Sequence, residues 1–250
     1  MTSKVFIVTG ASKGIGAAIT QHLLQNSHNV VLAARSEAPL KSVKQARPNQ
    51  VAYVAGDMTS SDMAPKLAEL AVQTFGRIDG IVINHGTMQP CTISQSSIQS
   101  WKNVYNVNVF SCVAMAQAGL TELRKTQGCI VWVSSGAAIK PYKAWSAYGS
   151  SKAAVNSISS HLAAEEPEIT SVAVAPGRVD TDMQALIRKS GADSMDKAQY
   201  DNFVEVFQNG GLLKPEKPGN VIAKLVAQPS KALSGTFLNW NSPELAAYQE

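Results

Sequence analysis

The 250-residue sequence predicts an α/β fold, a doubly wound parallel sheet of about seven strands with helices on both faces. Three observations predict it. Short β-branched apolar runs alternate with longer helical patterns along the chain. Most of these runs are continuously apolar, the mark of parallel strands covered on both faces. The first run ends in a glycine-rich turn that opens a helix.

The runs are "KVFIV" (4–8), "NVVLAA" (29–34), "VAYVAG" (51–56), "GIVIN" (80–84), "CIVWVS" (129–134), "TSVAVA" (170–175) and "GTFLNW" (235–240). The helix after Gly14 carries Ile15, Ile19 and Leu23 on one stripe. The segments between runs are long enough for crossover helices. No repeat, low-complexity tract or Pro/Gly-rich linker divides the chain, so residues 1–250 read as one domain. The rhythm breaks once. Helical patterns around 183–190 and 197–208 form an insertion spanning approximately 178–217. After a late strand, at the carboxyl end of the sheet, it reads as a substrate lid; the other reading is a plain helical excursion.

Composition narrows the partners. Lys and Arg are scattered and the net charge is only +4, which argues against nucleic acid or a membrane surface and suits a small molecule. Cys91, Cys112 and Cys129 are odd in number and lack CxxC spacing, as free thiols in a reducing compartment do. The N-terminal "MTSKVFIVTG" enters a strand almost at once, no apolar run approaches the ~18 residues of a membrane span, and "AAYQE" matches no address signal. The expected location is the cytoplasm, and no metal site is expected.

The turn "TGASKGIG" supplies Gly10, Ser12, Lys13, Gly14, Ile15 and Gly16. Its glycines let backbone approach a ligand, and the helix N-terminus favours a pyrophosphate. This is a relative of the GxGxxG fingerprint with different spacing, and it makes the fold Rossmann-type. For NAD an acidic residue would end the second strand. Here Arg35 and Ser36 stand at that point and Lys13 lies in the loop, so the expected cofactor is NADP(H), whose 2′-phosphate the two cations would bind. Asp57 and Met58 follow the third strand, where an adenine ring would lie. Asp57 reads equally as a ligand of the adenine amino group and as a helix cap. Asn84, His85 and Gly86 end the fourth strand on the same side. Asn84 is expected to pin backbone and Gly86 to admit the cofactor, while His85 lacks a nearby partner in sequence and stays outside the chemistry.

In "SAYGSSK", Tyr148 and Lys152 are four apart, one turn along a helix face. A free phenol has a pKa of ~10, and a nearby ammonium lowers it toward acid–base service. Taken together, TGASKGIG at 9–16, "NHG" at 84–86, Asn108, Ser135, Tyr148, Lys152 and "PGRVDT" at 176–181 resemble the short-chain dehydrogenase/reductase family over essentially the whole chain. His85 departs from the small residue usual there. The resemblance implies a catalytic tetrad of Asn108, Ser135, Tyr148 and Lys152. Ser135 rather than Ser134 is selected by its family spacing of thirteen residues from Tyr148. It further implies that Pro176, Gly177, Val179 and Thr181 meet the nicotinamide end of the cofactor, with Lys152 on the ribose.

Tyr142, Trp145, Met183, Leu186 and Phe207 are candidates for an apolar substrate pocket, or equally for ordinary packing. The tail "GTFLNWNSPELAAY" and the insertion resemble the fungal benzil reductase branch, itself similar to sepiapterin reductases. That implies NADPH-dependent reduction of an aromatic α-diketone or related ketone. Reduction of a pteridine or aliphatic ketone, or alcohol oxidation, is the alternative within the family. A dinucleotide-sensing scaffold is the alternative outside catalysis. The family resemblance also implies a homodimer or homotetramer, paired through long helices such as the one carrying "AYGSSKAAV".

Overall fold

The computed structural model describes residues 3–249. Seven parallel strands run in the order β3-β2-β1-β4-β5-β6-β7. They are β1 (Val5–Thr9), β2 (Asn29–Ala34), β3 (Val51–Ala55), β4 (Gly80–Ile83), β5 (Cys129–Val133), β6 (Thr170–Ala175) and β7 (Phe237–Asn239). The doubly wound sheet expected from the apolar runs is therefore present. The last strand is shorter than its run. Gly235, at φ +81°, turns the chain and donates to Ser171 O before pairing with β6 begins.

Alternation along each strand explains the continuous apolar runs. In β1, Phe6 and Val8 point into one core and Val5 and Ile7 into the other. The first core lies under α1 (Gly14–Gln25), α2 (Glu37–Ala46) and α9 (Glu216–Ala227). The second lies under α3 (Met63–Phe75), α5 (Ser111–Thr126) and α6 (Ser146–Glu165). A strand with both faces covered has no position for a charge.

Strand order reverses between β1 and β4, and there the two chains leave the sheet in different directions, opening a crevice at their carboxyl ends. Before α5 the chain makes α4 (Ile98–Tyr105) and then a π-helical turn, Asn106–Phe110. Beyond β6 the insertion holds α7 (Asp182–Ser190) and α8 (Lys197–Gln208). Its two ends are stitched together, with Leu213 N donating to Arg178 O (2.9 Å) and Asp180 N to Leu213 O (2.8 Å). Both predicted helical patterns of the insertion are thus helices, projecting at the carboxyl end of the sheet.

Trp132 is the largest fully buried side chain, and its indole N–H donates to Ser171 Oγ at 3.0 Å. Trp132→Ala is expected to cost about 3–5 kcal/mol of stability, read by urea unfolding. A loss under about 1 kcal/mol would mean that the surrounding core collapses to fill the space.

Candidate active site

The crevice is built from the end of β1. The Asn84 amide donates to Thr9 O and Gly10 O, both at 3.1 Å, and its backbone N–H donates to Thr9 Oγ1 at 3.0 Å. This is the backbone pin expected from its position. Gly10 has φ +64°, and a Cβ on Gly16 would lie 2.2 Å from Gly10 O, so only glycine permits the turn to fold this tightly. Lys13, just before α1, provides no side-chain cap. The first N–H groups of α1 are left for a ligand, as a phosphate site requires.

At the other end of the crevice, β5 delivers two serines in extended backbone. Ser134 Oγ donates to Asn156 Oδ1 at 2.6 Å, away from the cleft. Ser135 faces Tyr148, accepts from Ala137 N at 3.1 Å, and pulls the phenol's pKa down. Tyr148 and Lys152, one turn apart on α6, are only 6% and 4% exposed. Burial dominates both: it raises the phenol above its ordinary value, against the pull of Ser135, and lowers the ammonium below its own. Lys152 Nζ donates to Val133 O at 2.8 Å. The depression of the phenol expected from Lys152 is not found in this state: burial raises the phenol, Ser135 lowers it, and Lys152 Nζ is bound to Val133 O. Tyr148 is a protonated phenol at neutral pH.

Asn108 sits inside the π turn, a helix irregularity that re-aims its side chain. Its Oδ1 accepts from Thr87 N (2.8 Å) and its Nδ2 donates to Thr87 O and Ser151 Oγ (both 2.9 Å). It therefore clamps the loop after β4 to α6. A Cβ on Gly86 would lie 3.4 Å from Asn108 Oδ1 and 3.5 Å from Lys152 Nζ. Gly86 is thus where the tetrad meets the cofactor side of the crevice.

The remaining predicted cofactor residues divide. Arg35 and Ser36 are exposed at the end of β2. Arg35 is near enough to help hold the Asp57 carboxyl below its usual range, though hydrogen bonds from Thr59 contribute more. Those bonds, to Asp57 Oδ1 from Thr59 N (2.9 Å) and Oγ1 (2.8 Å), close a local turn; α3 begins only at Met63 with Asp62 at its N-cap position, so Asp57 is not the helix cap it was read as. Met58 is buried beside it, packed against the core under α3. Lys13 is ion-paired to Asp182 at the start of α7 rather than standing free beside Arg35. Thr181 packs against Gly14, and Pro176 and Val179 are buried behind the exposed Gly177. Ser12 and Ile15 are half-buried in the loop.

Above Tyr148 lies a third apolar cluster of Met88, Ala137, Ala144, Trp145, Ile187, Met195 and Phe203, with Tyr142, Met183 and Tyr200 against it. Trp145 stands edge-on to Tyr148, ring centroids 5.9 Å apart. Leu186 and Phe207, expected in this pocket, are outside it and 39% and 46% exposed. On α7 it is Ile187 that turns inward, and on α8 the inward aromatic is Phe203; Phe207, one turn on, lies under the Arg188 guanidinium at 3.7 Å. Met88, Ile187, Met195, Phe203 and Tyr200 escaped the sequence reading. An i, i+4 count from Met183 and from Phe207 would have reached Ile187 and Phe203.

The short chain dehydrogenase family model matches residues 4–191. The chain belongs to this family. An uncharacterized oxidoreductase of Saccharomyces cerevisiae is 40% identical, covering 98% of both chains. The benzil reductase ((S)-benzoin forming) of the same yeast is 36% identical over 98% of this chain and 99% of its own. The crystal structure of a Saccharomyces cerevisiae short-chain dehydrogenase/reductase superposes with a TM-score of 0.97 at 40% identity, over 99% of this chain and all of that one. As a member of the family the protein is an oxidoreductase that uses a nicotinamide dinucleotide. No helix among the described residues is long and apolar enough to cross a membrane, and no group of metal-ligating side chains occurs among them.

His85 lies beside the same seam. Its ring is not partnerless, as sequence distance suggested. Nδ1 lies 2.7 Å from Thr9 Oγ1 and Nε2 lies 2.8 Å from Ser111 Oγ. Ser111 donates its own proton to Val107 O at 2.8 Å. Each ring nitrogen thus meets a hydroxyl, and Thr9 Oγ1 also reaches Val82 O at 3.3 Å. The chain of bonds ties the end of β1 to the π turn that carries Asn108. Burial, then the Lys152 ammonium, push the imidazole pKa down to about 3, against a weaker pull from Asp57.

A neutral His85 leaves a signature in stability. Between pH 6.5 and about 3 the unfolded chain takes up a proton here that the folded chain refuses, so stability falls as pH drops through that window. His85→Gln should lose less stability than the parent between neutral pH and about pH 4, in urea melts at each pH. Equal losses would mean that the imidazole is not held neutral.

Proposed function

We propose that this protein is an NADPH-dependent carbonyl reductase that passes hydride to a ketone, best an aromatic α-diketone, with Tyr148 as proton donor. The observation that carries the reading is a buried, protonated phenol beside an aromatic-lined cluster at the carboxyl end of the sheet. The likeness to a benzil reductase supports the substrate class.

The residues present fit a nicotinamide dinucleotide. The glycine turn leaves backbone accessible, the first N–H groups of α1 are uncommitted, and Gly86 opens the space beside Lys152. Gly10, Ser12, Ile15 and Gly16 would hold the pyrophosphate, Asp57 and Met58 the adenine. Arg35 would take the 2′-phosphate, joined by Lys13 once Asp182 releases it. Asn84, His85 and Gly86 would line the ribose, with Pro176, Gly177, Val179 and Thr181 on the nicotinamide side. When bound, the nicotinamide supplies the hydride.

The chain supplies the rest. Ser135 donates a hydrogen bond to the substrate oxygen as negative charge develops on it. Tyr148 gives that oxygen its proton. The phenolate left behind is stabilised by the Lys152 ammonium, which Val133 O keeps in place. Trp145, Met88, Ile187 and Phe203 exclude water, strengthening each of these interactions. In this reading α7 and α8 form the substrate lid.

We further infer a homodimer or homotetramer in the cytoplasm. Ile98 and Phe110, 72% and 60% exposed on the helices beside α6, offer apolar surface to a second copy, and the three cysteines are free thiols.

Tyr148→Phe should lower ketone-dependent NADPH oxidation by about a hundredfold or more while NADPH still binds in a fluorescence titration. Turnover that persists unchanged would overturn the tyrosine mechanism. Arg35→Ala should raise the KM for NADPH about tenfold and leave that for NADH nearly unchanged. An equal rise for both would exclude the 2′-phosphate contact.

A further inference from the structure

A second cavity, of about 260 Å³, opens beside the aromatic cluster. It is lined by Lys140 and Tyr142 from the loop after β5, Arg178 from the segment after β6, and Ala198, Gln199 and Asn202 from the first turns of α8. Its chemistry is lopsided: two cations, two carboxamides and a phenol, with no carboxylate among the lining residues.

Neither cation is neutralised by the protein. Among the described residues no carboxylate lies within ion-pair distance of Lys140 or Arg178. Lys140 Nζ lies 5.7 Å from the Tyr142 ring centroid. The Arg178 guanidinium stacks on Phe203 at 4.4 Å and donates to Asn202 Oδ1 at 2.7 Å. That bond fixes Arg178 and leaves most of its N–H donors unused. On α8, Asp196 accepts from Gln199 N and Asp201 pairs with Lys197.

The cavity shares a wall with the site of chemistry. Tyr142 lines it and also packs on Trp145, with centroids 4.8 Å apart, and Trp145 contacts Tyr148. Phe203, under Arg178, faces Tyr142 and Trp145 from the other side. The far end of a molecule whose carbonyl sits at Tyr148 would meet Lys140 and Arg178 by running over the outside of this packed aromatic layer.

We propose that this cavity is a specificity subsite for a carboxylate on the far end of the substrate, bound by Arg178 and Lys140. An arginine held in place by stacking, beside an unpaired lysine, suits a carboxylate's two oxygens and disfavours a neutral ester. The proposal rests on the carbonyl-reductase reading only in where the reacting carbonyl lies.

The test uses benzil carrying a para-carboxylate and the methyl ester of the same compound, with the full-length protein. Binding of each is measured by calorimetry in the presence of NADP+, and turnover separately by NADPH oxidation. The acid should bind about tenfold more tightly than the ester, with the advantage shrinking as salt is added. Lys140→Glu should erase that advantage without changing the affinity for the ester. Asn202→Asp, nearly the same size, should do likewise by giving Arg178 an internal counter-ion. Equal affinity for acid and ester in the parent protein, or a preference that survives both substitutions, overturns the subsite. Selective, Lys140-dependent binding without reduction of either compound would uphold the subsite and remove the carbonyl-reductase reading instead.

Discussion

The crevice hangs from one side chain amide. Where the strand order reverses, β1 and β4 part company and the carbonyls of Thr9 and Gly10 lose their place in the ladder. A buried carbonyl without a donor is costly. Asn84 meets both with a single Nδ2. That pair of bonds sets the path of the glycine turn, the turn sets where α1 begins, and the start of α1 decides where an anion is welcomed. Residues on either side extend the same seam. Thr9 receives the Asn84 backbone N–H and bonds the His85 ring, and His85 reaches across to Ser111 below the π turn. The glycine-turn end of the cleft and the end that holds Asn108, Tyr148 and Lys152 are therefore one hydrogen-bonded unit.

Within that unit two ionisable groups are buried side by side. Low-dielectric surroundings disfavour phenolate and ammonium alike, and their shifts toward neutrality run in opposite directions. In the proposed reading, a negative oxygen arriving opposite Ser135 changes the balance, because it gives the proton of Tyr148 a destination. Asn108 holds the geometry without touching either group: its three hydrogen bonds fasten the loop after β4 to the helix that carries both.

Much of this was legible in the sequence, for physical reasons. Parallel strands with two covered faces must be apolar throughout, so the seven runs stood out. Glycines at a strand-to-helix turn and a Tyr–Lys pair at helical spacing are local patterns. The choice of Ser135 over Ser134 came from the family spacing; in the structure Ser135 lies beside Tyr148 and Ser134 bonds Asn156, because neighbouring strand residues face opposite ways. What escaped depends on contacts between distant segments. The π turn is held by bonds from Asn108 to Thr87 and Ser151. Lys13 reads as a free cation until the fold brings Asp182 beside it. The phenol's upward shift depends on burial, which helical spacing does not encode. Phe203 and Phe207 share a helix stripe, and only the position of α8 decides that the first is covered by Trp145 and Tyr142 while the second extends beyond them.

The apolar cluster over Tyr148 is separate from the two cores that sandwich the sheet. Its members come from the loops after β4 and β5, the start of α6, and α7 and α8. None is a strand residue. If substrate docks here, as proposed, changes of shape in this cluster alter which molecule fits while the layers that hold the fold keep their packing. Such a molecule can then drift in substrate preference over evolutionary time, or be redesigned by a few substitutions, with its scaffold untouched.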